Sequence, residues 1–366
     1  MMKGLKKWRL FSLLAVMTVF LSACGEEYIS TLRPAGAVGK EQFNLLLFSI
    51  TIMALVVVVV SVLYIYAFFK FRRSRQGEDY MPKQVEGSHT LEVIWTVIPI
   101  VLLLILAVPT LISTYKLGDV AAMEHVDEDG NKTALTVDVT AKLYWWEFAY
   151  PDLGIVTAQE LVVPTGEKVY FNLKAADVKH SFWIPSVGGK MDTNVENINK
   201  FYLVFDEESE GLKDGVFYGK CAELCGPSHA LMDFKVKTLA PEAFDAWVAS
   251  MQATEGQIAS KDSTDLGEAT FAASCLGCHA VSSVTGMPAG AAMGPNLTTF
   301  GDRSHIAGFL EFNKENLVSW IKDPEEYKPG NLMTGAYKVG NNNPDELSDE
   351  EISALADYIM SLSVEK

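Results

Sequence analysis

Cysteine is scarce in this chain, with 5 among 366 residues, and histidine is nearly as rare with 6. Cys24 stands alone, whereas Cys221 lies close to Cys225 and Cys275 lies close to Cys278. Each close pair has a histidine beside it, so the spacing favours cofactor sites over a framework of structural disulfides. The alternative is two disulfides and one free thiol.

Positive charge is also scarce. The chain has 30 lysines and arginines and 46 aspartates and glutamates, which gives a net charge of -16. A chain this acidic is repelled by phosphate backbones, which argues against nucleic-acid binding. A redox partner with a basic surface is compatible with the same charge. Hydrophobic residues make up 49% of the chain. They are concentrated in three early segments, which indicates a membrane protein.

The first apolar segment is a predicted signal peptide covering residues 1–23. Several basic residues precede an apolar run over 10–21, which is too short to span a membrane comfortably. The run ends in Leu21-Ser22-Ala23-Cys24, which resembles a bacterial lipobox. That resemblance implies cleavage before Cys24 and lipid attachment to its sulfur. Ordinary cleavage and an uncleaved helix are the alternatives.

Two further apolar segments, 43–69 and 93–115, contain no charged residue and predict a transmembrane hairpin within residues 24–116. The segment before the first span contains only Arg33 and Lys40 as basic residues. The loop between the spans is richer in them, with Lys70, Arg72, Arg73, Arg75 and Lys83. The positive-inside rule therefore places this loop in the cytoplasm, and everything after residue 116 outside the cell.

The remainder divides into a β-rich and a helical region. Within 117–240, Leu135, Val137 and Val139 alternate with polar neighbours, and further short apolar runs end at turn residues. This pattern predicts a sandwich or small barrel. Residues 241–262 begin as a helix and continue as a linker. Residues 263–366 have helical spacing, with a capping box formed by Ser348 and Glu351, and predict a separate all-helical module.

A soft ligand set is concentrated in the segment 221–232, with one further histidine about forty residues earlier. Two thiolates can bridge two copper ions, and such a pair shares one unpaired electron over both metals. A ligand frame fixed by a loop would keep its geometry between redox states, which favours electron transfer over substrate chemistry. A zinc site and a copper-delivery protein are the alternatives. The candidate ligands are His180, Cys221, the carbonyl of Glu223, Cys225, His229 and, more weakly, Met232.

The segment Cys275-Leu-Gly-Cys278-His279 is the signature of covalent c-type haem attachment. The two thiols would form thioether links, and His279 would bind the iron on one side. A methionine on the other side would raise the redox potential, and the candidates are Met287, Met293 and Met333. The loop Lys328-Pro-Gly-Asn-Leu-Met333 resembles the distal loop of class I cytochromes c, which favours Met333. The loop Gly294-Pro-Asn-Leu297 resembles the proximal-side loop of that family.

The segments Lys179-His180-Ser181-Phe182 and C-A-E-L-C-G-P-S-H-A-L-M resemble subunit II of the haem–copper cytochrome c oxidases. With the haem motif included, the resemblance extends over the mature chain to the caa3 type, in which a cytochrome c is fused to the C-terminus. It implies a multidomain membrane protein with a two-helix hairpin, an all-β cupredoxin barrel and an all-α cytochrome c domain. It also implies the same six copper ligands.

The resemblance assigns further roles. The carboxylate of Glu223 would bind magnesium at the interface with subunit I, and Glu92 would lie near a site of proton uptake, or else be a solvated helix-end carboxylate. Trp145, in Tyr144-Trp145-Trp146, would accept electrons, although Leu143 stands where many members have tryptophan. In this chain Val195-Glu196 stand where the family tends to have proline-glycine.

The resemblance implies an electron relay at the outer face of a bacterial cell membrane. An external donor, either cytochrome c or a quinol:cytochrome c reductase, would reduce the haem, and the copper pair would pass electrons to subunit I. Oxygen reduction and proton pumping would occur there, so this chain is expected to contain no catalytic residue. The alternatives are the electron-accepting subunit of a nitric oxide reductase and a copper-binding lipoprotein without enzymatic context.

Overall fold

A computed structural model describes Ser12, Val16 and residues 25–77, 80–130, 132–283, 293–334 and 347–365. Two compact units are present: Glu41–Asp119, and a larger unit that joins the chain up to Lys40 with Val120–Lys366. The helices, in chain order, are α1 Ala37–Lys70, α2 Arg73–Gln76, α3 His89–Leu117, α4 Pro241–Gln252, α5 Leu266–Ser274, α6 Lys314–Lys322, α7 Pro324–Tyr327 and α8 Asp349–Ser361.

Helices α1 and α3 are long and apolar enough to cross a membrane, and their apolar side chains are exposed along most of their length. This exposure fits contact with lipid, since a soluble protein would bury such side chains. Within the smaller unit, Glu41 of α1 joins the two helices. It accepts a hydrogen bond from the Ser113 hydroxyl at 2.6 Å and pairs with Lys116 of α3.

Two five-stranded sheets form the β-rich region, in the orders β3-β2-β1-β5-β8 and β4-β10-β9-β6-β7. Most neighbouring strands are antiparallel, but β1 pairs with β5 and β4 pairs with β10 in parallel. The strands are β1 Thr136–Lys142, β2 Trp145–Tyr150, β3 Ile155–Ala158, β4 Glu160–Pro164, β5 Lys168–Ala175, β6 His180–Trp183, β7 Met191–Thr193, β8 Asn199–Val204, β9 Phe217–Cys221 and β10 Asp233–Leu239.

Aromatic side chains fill the space between the two sheets. Phe182 of β6 stacks on Phe234 of β10 with ring centroids 4.8 Å apart, and Trp146 of β2 contacts both rings. Phe171 of β5 also lies 5.5 Å from Phe182. Large aromatic rings contribute most of the buried area in such a core, so they fix the strands that carry the candidate ligands.

The C-terminal region packs α5, α6 and α8 around one apolar cluster that includes Phe271, Leu317, Leu355 and Ile359. Asn313 caps α6, and Ser348 forms the predicted capping box with Glu351 at the start of α8. A two-stranded ladder, β11 His305–Ile306 with β12 Leu310–Glu311, departs from the predicted all-helical character within the described part of this domain. The predicted fold class is confirmed: two apolar helices, a cupredoxin-like β-sandwich and a C-terminal helical domain.

Candidate metal centres

The predicted copper ligands come from two neighbouring strands and one loop. His180 begins β6 and Cys221 ends β9, and these strands pair with Phe182 opposite Cys221. The loop from Ala222 to Met232 then returns the chain to β10 and carries Cys225 and His229. Because strand pairing fixes one end of the set and a short loop fixes the other, ligands far apart in sequence meet at one end of the sandwich.

All six candidate donors lie together. The Cys221 and Cys225 sulfurs are 3.9 Å apart, and the Cys221 sulfur lies 3.9 Å from His180 Nδ1 and 3.3 Å from the Glu223 carbonyl. The Cys225 sulfur lies 3.7 Å from His229 Nδ1 and 3.8 Å from the Met232 sulfur. Both cysteines are free thiols. Each sulfur therefore faces one histidine and one weaker donor, and this arrangement fits a pair of metals that share two thiolates.

Asp177 orients His180, and the sequence reasoning did not identify it. Its carboxylate lies 2.8 Å from His180 Nε2, so Nε2 donates to Asp177 and leaves Nδ1 facing Cys221. The same carboxylate accepts from the backbone N–H groups of Leu143 and Val178, at 2.7 Å each. A carboxylate that holds the remote nitrogen of a ligating histidine fixes the ring and its tautomer. The sequence signal was an aspartate three residues before the histidine.

The electrostatics of the cluster make Cys221 easier to ionise than Cys225. Burial opposes ionisation of Cys221, but hydrogen bonds to His180 and to neighbouring backbone lower the pKa of this thiol to about 7. Burial and the neighbouring Cys221 charge raise the pKa of the Cys225 thiol. A metal cation would reverse the second effect, because a coordinating thiol is deprotonated outright.

We expect Asp177→Asn to lower copper affinity about 10- to 100-fold, because an amide cannot hold the His180 ring as a carboxylate does. Competition with a chelator of known affinity measures the change. The matched control is Asp152→Asn, which alters an exposed carboxylate of the same domain. Equal copper affinity in the Asp177 variant and the control would show that Asp177 does not support the ligand.

The haem motif follows directly on α5. Cys275 is the C-cap of this helix, and the N–H groups of Cys278 and His279 both donate to its carbonyl at 3.0 Å. This turn brings the two thiols and the imidazole into one compact loop. Both cysteines are free thiols. Burial raises the pKa of the Cys275 thiol to about 12, as expected for a sulfur inside an apolar pocket.

Pro295, in the loop Gly294–Leu297, orients His279. His279 Nδ1 donates to the Pro295 carbonyl at 2.8 Å, which leaves Nε2 available for iron. Burial lowers the pKa of the imidazole, so the neutral, ligating form is favoured. Gly294 is required here, since a Cβ at this position would lie 2.8 Å from the His279 ring. These contacts fit a haem held through Cys275, Cys278 and His279.

Of the candidate methionines, Met333 lies in a partly buried turn after α7, where its N–H donates to the Asn331 side chain at 2.9 Å. Met293 is 68% exposed, and Met287 lies outside the described residues. Exposure is a poor setting for an axial ligand, so Met333 stays the predicted one.

The other predicted positions are spread over the chain. Trp145 is only 8% exposed and lies below the Lys142 ammonium, which is 4.5 Å from its ring centroid and pairs with the buried Glu147 at 2.9 Å. Glu92 is exposed in the first turn of α3. The Glu223 side chain is half-buried in the loop 222–232, which carries candidate copper ligands and is called the copper-ligand loop below. Cys24 lies outside the described residues.

Comparison with known proteins gives matches in the hairpin, in the β-rich region and in the C-terminal region. Three family models match: "Cytochrome C oxidase subunit II, transmembrane domain" over residues 32–112, "Cytochrome C oxidase subunit II, periplasmic domain" over 152–239 and "Cytochrome c" over 264–363. Among solved structures, the periplasmic domain of subunit II of cytochrome oxidase (CoxB) of Bradyrhizobium japonicum is 31% identical. That match covers 32% of this chain and 91% of the other, at a TM-score of 0.29.

Two curated relatives match over nearly their whole length. Cytochrome c oxidase subunit 2 of Bacillus sp. (strain PS3) is 57% identical over 365 residues, which is 100% of each chain. Cytochrome c oxidase subunit 2 of Bacillus subtilis (strain 168) is 52% identical, over 98% of this chain and 99% of the relative. The chain therefore belongs to the cytochrome c oxidase subunit II family, in the form that has a cytochrome c domain after its copper domain.

Proposed function

We propose that the chain is subunit II of a caa3-type cytochrome c oxidase and brings electrons into that enzyme. Electrons from an external donor reach its haem c, pass through a binuclear copper centre, and continue to subunit I, where oxygen is reduced to water and protons are pumped. The observation that supports this most strongly is the cluster of two facing thiols, two histidines and a thioether in the same chain as a c-type haem motif. The cytochrome c oxidase relatives, which match from end to end, support it further.

The copper domain holds its metals with donors that belong entirely to this chain. We assign His180, Cys221, the Glu223 carbonyl, Cys225, His229 and Met232 as the ligands of two copper ions. When bound, the copper pair supplies a one-electron carrier whose charge is shared between two metals. The β6–β9 pairing and the Asp177 contact keep the ligand positions fixed, which favours rapid electron exchange.

The haem domain holds its cofactor by covalent and axial bonds. Cys275 and Cys278 would attach haem c, while His279 and Met333 would bind its iron. When bound, haem c supplies a second one-electron carrier. Pro295 keeps His279 in the tautomer that binds metal.

The surroundings of the two sites support the remaining assignments. We place the copper and haem domains on the outer side of a bacterial membrane, with lipid on Cys24 as a second anchor beside the hairpin. Glu92 is the proposed position of proton uptake, and the Glu223 carboxylate is the proposed magnesium ligand at the subunit I interface. The natural donor is a cytochrome c or a quinol:cytochrome c reductase.

We place the contact with subunit I and other oxidase subunits at the copper-ligand loop, where Leu224 is 76% exposed. The nitric oxide reductase and the isolated copper lipoprotein are not favoured. The relatives from Bacillus sp. (strain PS3) and Bacillus subtilis, which match nearly the whole chain, are cytochrome c oxidase subunits.

Purification of the intact complex from membranes tests the proposal. We expect two copper ions and one covalently bound haem for each copy of this chain, a mixed-valence copper EPR signal, and oxygen consumption with reduced cytochrome c. Zinc or a single exchangeable copper ion in place of the pair would overturn the assignment. Iron without any bound copper would do the same.

A further inference from the structure

The loop that carries Met333 lies directly on the copper-ligand loop. Ser228, which precedes His229 in the chain, donates its hydroxyl proton to the Pro329 carbonyl at 2.7 Å. The Ser228 side chain is completely buried. A single hydrogen bond therefore joins the backbone next to one proposed copper ligand to the turn that presents the proposed haem ligand.

Lys328 strengthens the same contact from the haem side. Its side chain is nearly inaccessible, with 3% of its surface exposed, and its Nζ donates to the Tyr144 carbonyl of the copper domain at 2.9 Å. It also donates to the Ala307 carbonyl of the haem domain at 2.8 Å and lies 5.2 Å from the Phe309 ring centroid. The Lys328 amine is buried and takes hydrogen-bond acceptors from both domains. Burial without such partners would be costly, so this position of the side chain requires the two domains to be in contact.

Tyr144 links these two contacts. Gly226, at φ +136 in the copper-ligand loop, lies so close to the Tyr144 hydroxyl that a side chain at this position would collide with it. On the other side, a Cβ at Gly330 would lie 3.6 Å from that hydroxyl and 3.9 Å from Pro227. The Met333 loop thus covers Tyr144, which directly precedes the proposed electron acceptor Trp145.

Contacts elsewhere in the interface hold the haem domain in one position. Lys235 of β10 donates to the Gly308 carbonyl at 3.0 Å, in the turn between β11 and β12. At a third place the Val156 amide of β3 donates to the Ser283 carbonyl, also at 3.0 Å. Three separated points of contact define an orientation, whereas a tether alone would not.

We propose that Lys328 and Ser228 are positioning residues that seat the Met333 loop on the copper-ligand loop. The haem domain then delivers electrons from one docked position, not as a module that diffuses at the end of a linker. This inference rests on the proposed function, and deepens it by assigning the internal docking surface. Electron tunnelling weakens steeply with distance, so a small displacement of this loop would slow the transfer between the two domains.

Two variants test the proposal in the intact complex. Lys328→Met retains the length of the side chain but removes its donors, and Ser228→Ala removes only the hydroxyl. The matched controls are Lys322→Met and Ser361→Ala. Lys322 is an exposed lysine of the haem domain that pairs with Asp349, and Ser361 donates to the Tyr358 carbonyl within α8. Haem and copper spectra establish that each variant has retained both cofactors.

Two measurements follow, one kinetic and one structural. After flash reduction of the haem, we expect Lys328→Met to slow electron transfer to copper several-fold, because tunnelling weakens steeply when the two domains move apart. Reduction of the haem by the external donor should remain unchanged. Hydrogen exchange at the Val156 amide should become faster in Lys328→Met, because its acceptor lies in the other domain. Ser228→Ala should show smaller changes of the same sign.

The outcomes separate this inference from the proposed function. If both variants transfer electrons and exchange the Val156 amide as the wild type and controls do, the positioning role is refuted while the relay stands. If the wild type shows no transfer from haem to copper, the proposed function fails. The Val156 exchange rates would then still decide whether Lys328 and Ser228 seat the domain.

Discussion

Cys221→Ser is expected to abolish copper binding while the haem domain remains folded and reducible. The Cys221 sulfur lies within 3.9 Å of both the Cys225 sulfur and His180 Nδ1, so it is the central donor of the cluster. A serine oxygen is a harder donor that does not ionise near neutral pH, and it cannot bridge two copper ions as a thiolate does. We expect copper affinity to fall more than about 100-fold, beyond the effect typical of residues that only orient a ligand.

Copper content and oxygen consumption of the purified complex measure this effect. The copper EPR signal and turnover with reduced cytochrome c should both be lost, whereas the donor should still reduce the haem. The reciprocal variant Cys275→Ser is the control, since it alters haem attachment and leaves the copper cluster intact. Normal turnover in a Cys221→Ser complex without copper would contradict the order in which we place the two cofactors.

The copper site could be predicted from the sequence because most of its donors lie in one short segment. The spacing of Cys221, Cys225, His229 and Met232 on a single loop restricts where their side chains can meet. His180 is 41 residues from Cys221, so the sequence alone could not show that the two side chains meet. The structure supplies the physical reason, which is the pairing of β6 with β9.

The strands were predictable where apolar and polar residues alternate in the sequence, or where a short apolar run ends at turn residues. In β1 the alternation of Val137 and Val139 with polar neighbours gives a clear period of two. In β2, Trp145–Tyr150, every residue is buried, so no alternation marks the strand. The short strands β6 and β7 give too few residues for a period to be detected.

The contacts between the copper and haem domains could not be predicted from the sequence. Lys328 was noted as part of the haem loop motif, which suggested no partner outside the haem domain. Its acceptor on Tyr144 is 184 residues away in the chain. Asp177 was missed for a similar reason, because a carboxylate three residues before a histidine is common and gains meaning only when the ring nitrogen is seen to face it.

Met333→Leu is expected to leave the haem attached but to change its spectrum and lower its redox potential. Leucine is close to methionine in volume, so the partly buried turn after α7 can accommodate it, whereas the thioether sulfur is lost. Attachment through Cys275 and Cys278 is unaffected, and Pro295 still orients His279. Because methionine ligation raises the potential of a histidine-ligated haem, its loss should lower the potential by on the order of 0.1 V.

Absorption spectra and a redox titration of the complex measure these changes, and Met293→Leu, at a 68% exposed position, is the matched control. A lower haem potential makes electron transfer to copper more favourable but makes reduction by the external donor less favourable. The variant should therefore show slower haem reduction under turnover, with an unaltered copper signal. A Met333→Leu haem with the spectrum and potential of the wild type would show that the axial ligand is another residue.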